Sequence, residues 1–174
     1  KLVLAIGGHA RPIPVPGAEL PGVHVLRTVA DVEAIRARLK PGVRVAIVGA
    51  GYIGLECAAT FRKLGHDVTV IEMMDRVMNR VVAPEMSRFY QAEHASHGVN
   101  LLTDRRVRGL LGDDSVHAVA CADGTQVPAD VVIVGSGVAG AMTGHALARA
   151  GVKVLILEAG PRVEAPLLAL LAKA

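Results

Sequence analysis

Val45-Ala46-Ile47-Val48-Gly49-Ala50-Gly51-Tyr52-Ile53-Gly54 is the stretch that decides the fold. An apolar run stops at a Gly-x-Gly-x-x-Gly and a helical stretch follows. A second apolar run, Val68 to Ile71, then ends in the carboxylate of Glu72. A Gly-x-Gly-x-x-Gly alone is a weak signal, whereas one framed by two strands and closed by an acid is strong. The same word returns at Val131-Val132-Ile133-Val134-Gly135-Ser136-Gly137-Val138-Ala139-Gly140. Glu158 closes this second copy at the same interval from its first glycine.

Each part has a physical task. The first glycine (Gly49, Gly135) lets the chain turn sharply off the strand. The second (Gly51, Gly137) leaves room for a pyrophosphate to touch the backbone. The third (Gly54, Gly140) lets the helix pack against the strand. The helix N-terminus offers unpaired N–H groups and a partial positive charge to phosphates. The acid accepts hydrogen bonds from a ribose diol. Glu72 and Glu158 favour a free 2′-hydroxyl and repel a 2′-phosphate, so NAD(H) rather than NADP(H) is expected at the first motif. FAD is compatible with the second.

Composition narrows the field. The chain has 174 residues, enough for one compact domain and a piece of another. Hydrophobic residues make up 52%, which supplies a packed core, and 19 glycines suit an α/β protein with many tight turns. Aromatics are only 2%, so stacking platforms for nucleic acid are nearly absent. A net charge of +3 suits a dinucleotide pocket and does not indicate a nucleic-acid binder. Cys57 and Cys121 form no Cys-x-x-Cys pair and read as buried small hydrophobes. No apolar run is long enough to span a bilayer and no signal peptide is visible, so a cytoplasmic setting is the default expectation. Lys1 opens inside an apolar run, so the chain reads as a fragment of something longer.

Outward from the first fingerprint, the pattern predicts an α/β fold. It is a Rossmann-like doubly wound parallel sheet with a β-hairpin appendage, plus a second partial βαβ unit. Leu2 to Ile6 reads as a strand and Arg11 to Gly22 as a stiff, proline-rich connector. Thr28, with Asp31 three residues on, reads as a helix cap. Pro84 opens another helix that Gly98 stops. Val107 to Val127 reads as the antiparallel appendage. The expected organisation is a strand and linker over 1–24, a nucleotide-binding domain over 25–129, and a second fingerprint unit over 130–174.

Four stretches resemble the NAD-binding insert of the FAD-dependent pyridine-nucleotide reductases, in particular the ferredoxin-reductase branch. They are Leu2-Val3-Leu4-Ala5-Ile6-Gly7-Gly8 with its proline-rich linker, Gly49 to Glu56, Met74-Asp75-Arg76-Val77-Met78, and Asp123-Gly124 through Gly135. The resemblance implies that Gly49, Gly51 and Gly54, with Tyr52 and Ile53 of the same motif, hold the pyrophosphate. It places Glu72 at the adenosine ribose and Glu56 near the nicotinamide half. It implies hydride transfer from NADH to flavin, FAD in the complete parent, and electrons passed to a small acidic iron–sulfur protein. Positioning is the protein's part in that chemistry and no catalytic side chain is singled out. Ile6 departs from the family's usual threonine.

After Gly135 the likeness changes. Val131 to Gly160, ending Leu157-Glu158-Ala159-Gly160-Pro161-Arg162, resembles the opening of glucose–methanol–choline oxidoreductases, and the shared word suggests a junction between two coding sequences. The fragment is expected to bind NADH and not to turn over alone. Two alternatives stay open: a fragment of a glucose–methanol–choline type dehydrogenase binding FAD, and a non-catalytic nucleotide-binding domain. Residue by residue, bland readings compete. Glu72 is a ribose ligand or a solvated strand end, and Glu56 a nicotinamide neighbour or a surface charge. Arg76 and Arg80 are solvated or lie near the adenosine, where Arg76 on a 2′-phosphate would restore NADP(H). Arg105, Arg106 and Arg108 are a solvated turn or a patch for an acidic partner. His94 and His97 share a helix face without a third ligand, so no metal site is expected.

Overall fold

The computed structural model describes residue 10 and residues 12–134. The expected strand over 2–6, the glycines Gly135, Gly137 and Gly140, Glu158 and the apolar tail lie outside the described residues. Eleven elements follow in order: β1 (Val23–Val25), α1 (Val29–Arg36), β2 (Arg44–Val48), α2 (Tyr52–Lys63), β3 (Asp67–Ile71), α3 (Pro84–Ser96), β4 (Asn100–Leu102), β5 (Val107–Gly112), β6 (Val116–Cys121), β7 (Gln126–Pro128) and β8 (Val131–Val134).

Local chemistry sets the helix ends. Thr28 caps α1 in a reciprocal box: its hydroxyl accepts from the Asp31 N–H at 3.3 Å, and the Asp31 carboxylate accepts from the Thr28 N–H at 2.7 Å. Such a cap is worth about 1 kcal/mol. The helix is shorter than the expected end near Leu39. The Arg38 and Leu39 N–H groups reach back only three residues, to Ile35 and Arg36, because the chain tightens before Pro41. Pro84 sits in the first turn of α3, as its fixed φ favours.

Five strands form a parallel sheet in the order β1-β8-β2-β3-β4, and β5-β6-β7 form an antiparallel one. Alternation along the central strands sorts their side chains onto two faces. Val45, Ile47, Val68, Val70, Val131 and Ile133 join the cluster that holds Val32 and Ile35 of α1 and Phe61 of α2. Ala46, Ile71 and Val132 join the cluster that holds Leu110, Val116, Val119 and Val127. The result is three layers, with helices on one face of the parallel sheet and the antiparallel sheet covering the other. The appendage therefore closes the core and does not merely decorate it. The proline-rich connector also lies on this layer. Leu110 N–H donates to the Pro16 carbonyl and Val116 N–H to the Pro21 carbonyl, both at 2.9 Å.

β8 lies between β1 and β2, with Ala46 opposite Val132 and Ile47 opposite Ile133. The sheet that holds the first fingerprint strand therefore also includes β1 and β8. A sheet built without β8 would separate β1 from β2.

The entry to β8 is fastened by one acid. Asp130 Oδ2 accepts from the Arg44 N–H at 3.0 Å and from Nε at 2.9 Å, while Oδ1 accepts from Nη2 at 2.6 Å. These guanidinium hydrogen bonds hold the Asp130 carboxyl below its ordinary value of 3.8. A lowered carboxylate pKa contributes stability above the unfolded value that is lost as pH falls through the folded one. Because both side chains are partly exposed, Asp130→Asn is expected to cost only about 1 kcal/mol near neutral pH. Urea unfolding of both proteins across an acid series should show that gap closing as the pH drops below 3.8.

Candidate functional site

At the carboxyl end of β2 the connection leaves towards β3, while β8 on its other side is reached only after β4 and the antiparallel strands, so the course of the chain across the sheet reverses beside β2. Such a switch point opens a crevice above the strand ends. Gly49 turns the chain there with φ of +105°, in the left-handed region that favours glycine, and its N–H donates to the Ile71 carbonyl at 2.8 Å. Gly51 caps α2 in an extended conformation, and a Cβ on it would project into open space. A Cβ on Gly54 would instead run into the Gly49 carbonyl oxygen. The three glycines thus have three separate reasons: a turn, an open approach and a close contact.

The N-terminus of α2 differs chemically from the other two. It has no acid in its first turn, whereas α1 has Asp31 and α3 has Glu85, and, like α3, it has no side-chain cap. Its first-turn amides and dipole therefore face the crevice without a protein anion of their own.

Glu72 lies one residue beyond β3 and is pinned at four points. Its N–H donates to the Leu102 carbonyl at 2.8 Å and its carbonyl accepts from the Arg105 N–H at 2.9 Å. Its Oε2 accepts from the Ala50 N–H at 2.8 Å and its Oε1 from the Met74 N–H at 2.9 Å. The carboxylate thus points at the glycine loop and is not a solvated strand end. Each oxygen keeps further acceptor capacity for hydroxyl donors.

These residues line a cleft of about 550 Å³. Gly49, Gly51, Tyr52, Ile53, Gly54 and Glu72 are all on its surface; Glu56 is exposed on α2 and is not. Arg76 is not there either. Its Nη1 donates to the Val82 carbonyl at 3.0 Å and to Ser87 Oγ at 2.8 Å, and its Nη2 to the Asn79 carbonyl at 3.0 Å. Arg80, Arg105 and Arg106 do line the cleft, and Arg105 is ion-paired with Asp123 at 2.9 Å. Met78, at 3% exposure, fills the floor of one wall. Sequence reasoning missed Asn79 and the segment Ile13 to Val15, which also line it. No local pattern marks them, since only the tertiary path of the connector and of the loop after Glu72 brings them in.

Cys57 is fully buried, and burial, with the Glu56 charge, pushes its thiol up to about 12. Cys121 is buried too, so neither sulfur is a ready nucleophile. Among the described residues no helix is long and apolar enough to cross a membrane.

Residues 1–132 match the family described as pyridine nucleotide-disulphide oxidoreductase. The chain belongs to that family. Residues 128–164 match a second description, FAD binding domain. Among relatives of this oxidoreductase family, the 5,5'-dehydrodivanillate O-demethylase ferredoxin reductase subunit of Sphingobium sp. is 48% identical over 140 residues. That match covers 79% of this chain and 34% of the relative. The ferredoxin reductase for the CYP199A2 system of Rhodopseudomonas palustris superposes with a TM-score of 0.73 at 40% identity, over 76% of this chain and 33% of that one. The water-forming NADH oxidase of Lactobacillus brevis, in a structure bound to NADH, superposes at 0.67 with 27% identity, over 74% of this chain and 29% of that one. The chain spans about a third of the length of these relatives.

The geometry at Gly54 sets an expectation for folding. Gly54→Ala forces the helix off the strand and should cost about 1–3 kcal/mol by the usual penalty for overpacking. Chemical denaturation would read this as a lower midpoint, and an unchanged midpoint would contradict the close contact.

Proposed function

We propose that this chain supplies the NADH-binding portion of an FAD-dependent ferredoxin reductase. One observation carries the reading. A glycine loop open at Gly51, an uncapped α2 N-terminus and the Glu72 carboxylate meet in one cleft. Phosphate oxygens suit the first two and a ribose diol suits the third. The acid, together with the engagement of Arg76 elsewhere, favours a free 2′-hydroxyl over a 2′-phosphate.

In this reading Gly49, Gly51 and Gly54 shape the backbone around the diphosphate, with Tyr52 and Ile53 in the first turn of α2. Glu72 takes the adenosine ribose. Glu56, exposed on α2, would meet the nicotinamide half only where a flavin domain faces it. The flavin, when bound in the complete protein, supplies the hydride-accepting and single-electron chemistry. This chain's contribution is to hold and orient the reduced nicotinamide dinucleotide. The names of its relatives support a small iron–sulfur protein as the electron acceptor. The exposed Arg106 and Arg108, which make no ion pair among the described residues, suit an acidic one. Two buried, unbridged cysteines fit a reducing, cytoplasmic compartment.

A second reading rests on the FAD binding domain match over 128–164. It assigns FAD to Gly135, Gly137, Gly140 and Glu158, and corresponds to a flavin-dependent dehydrogenase of the glucose–methanol–choline type. Boundaries just before β1 and at about 134 would then separate linker, NAD(H) unit and flavin fingerprint.

Thermal unfolding with each dinucleotide separates the two. A ligand that binds only the native state at a hundred times its Kd stabilises by about 2.7 kcal/mol. NADH and ADP are expected to raise the midpoint, NADPH to raise it less, and a shift with FAD alone would favour the second reading. Gly51→Ala sharpens the test, since the added Cβ meets no protein atom. That variant should unfold like the parent and yet lose most of the NADH-induced shift.

A further inference from the structure

Arg76 leaves the cleft unused, yet it is the most fully engaged side chain in the loop after Glu72. Its Nη2 holds the Asn79 carbonyl and its Nη1 holds the Val82 carbonyl, so the two acceptors bracket Arg80 and Val81. The third arm runs to Ser87 Oγ on α3. Ser87 is fully buried, and its hydroxyl donates in turn to the Val77 carbonyl at 2.7 Å. The guanidinium fork therefore ties the loop to the helix behind it.

The loop is also held from the front. Met78 adopts φ of +49°, uncommon for a residue with a side chain. Such a conformation persists only where the surroundings over-determine it. Its N–H donates to the Ala50 carbonyl of the glycine loop at 2.9 Å, and its own carbonyl accepts from Val81 and Val82 N–H at 2.9 and 3.2 Å. One loop thus hangs between the glycine loop in front and the Arg76–Ser87 pair behind. Beside Met78, Asn79 and Val81, it presents the exposed cation Arg80 to the cleft.

We infer that Arg76 is a positioning residue that sets the cationic wall of the nucleotide cleft by fixing the peptide carbonyls on either side of Arg80, with Ser87 as its buried anchor. The inference rests on the NADH-binding reading. Arg80 then stands at a defined place beside the ligand's anionic phosphates. Lysine cannot replace Arg76, because a point ammonium lacks the planar fork that spans three separate acceptors.

Calorimetric titration of the full chain with ADP and with NADH, well below each variant's unfolding midpoint, tests this. Arg80→Ala should weaken ADP binding several-fold, with a loss that shrinks at high salt. Arg76→Lys should weaken ADP and NADH alike by about tenfold. In the double variant the Arg76→Lys loss should largely vanish, since the residue it positions is gone. Should Arg76→Lys fail to fold, Ser87→Ala, which removes one arm, should show a smaller loss with the same dependence on Arg80. Additive losses, or an Arg80→Ala protein that binds like the parent, would overturn the inference while leaving the NADH reading intact. A parent chain that binds neither ADP nor NADH would instead sink the underlying reading.

Discussion

The hydrogen bond from the Ala50 N–H to Glu72, 2.8 Å long, is the contact on which the candidate site depends. It joins the ends of two neighbouring strands across the mouth of the cleft. Ala50 is buried, so an unsatisfied amide there would cost about 1–3 kcal/mol. The ionised carboxylate satisfies it with a charge-assisted bond and uses its other oxygen on Met74. Through the Ala50 carbonyl, the same residue also anchors Met78 and the loop that forms the opposite wall. One acid and one alanine backbone thus hold three segments at fixed separations before any ligand arrives, which is what preorganisation requires.

That arrangement stands on a sheet whose two faces are closed by different means. The helical layer forms by local crossovers, β2 to β3 through α2 and β3 to β4 through α3. The second layer consists of the antiparallel strands, overlaid by the proline-rich connector. The chain then returns as β8 to fill the gap between β1 and β2. This late return places β8 beside β2, where Asp130 and Arg44 fasten the amino-terminal ends of two strands distant in sequence.

The two fingerprints illustrate how far a shared pattern carries. Val45 to Gly54 and Val131 to Gly140 read alike, and Val131–Val134 does form a parallel strand beside β2. As a strand it completes the sheet that carries the first fingerprint. The family matches meet at the same place, the oxidoreductase description ending at residue 132 and the FAD binding description beginning at 128. A single apolar strand fits both assignments because a fully buried parallel strand demands little beyond a run of branched apolar residues.

Much was legible in the residues alone because it depends on local rules. Glycine at 49, 51 and 54, the acid at 72, the Thr28–Asp31 box and Pro84 each act within a few residues or across one βαβ unit, so the fold class and the local geometry of the candidate cleft followed from spacing. Tertiary structure alone decided the rest. Arg76 and Arg80 looked equivalent in the sequence, and only the packing of the loop against Ser87 turned one inwards as a brace and the other towards the cleft. The connector from Ile13 to Val15 became a wall, and β8 joined the first sheet, through contacts with residues far along the chain. Long-range partners are chosen by which surfaces remain to be covered once the local elements exist, and no short-range pattern encodes that choice.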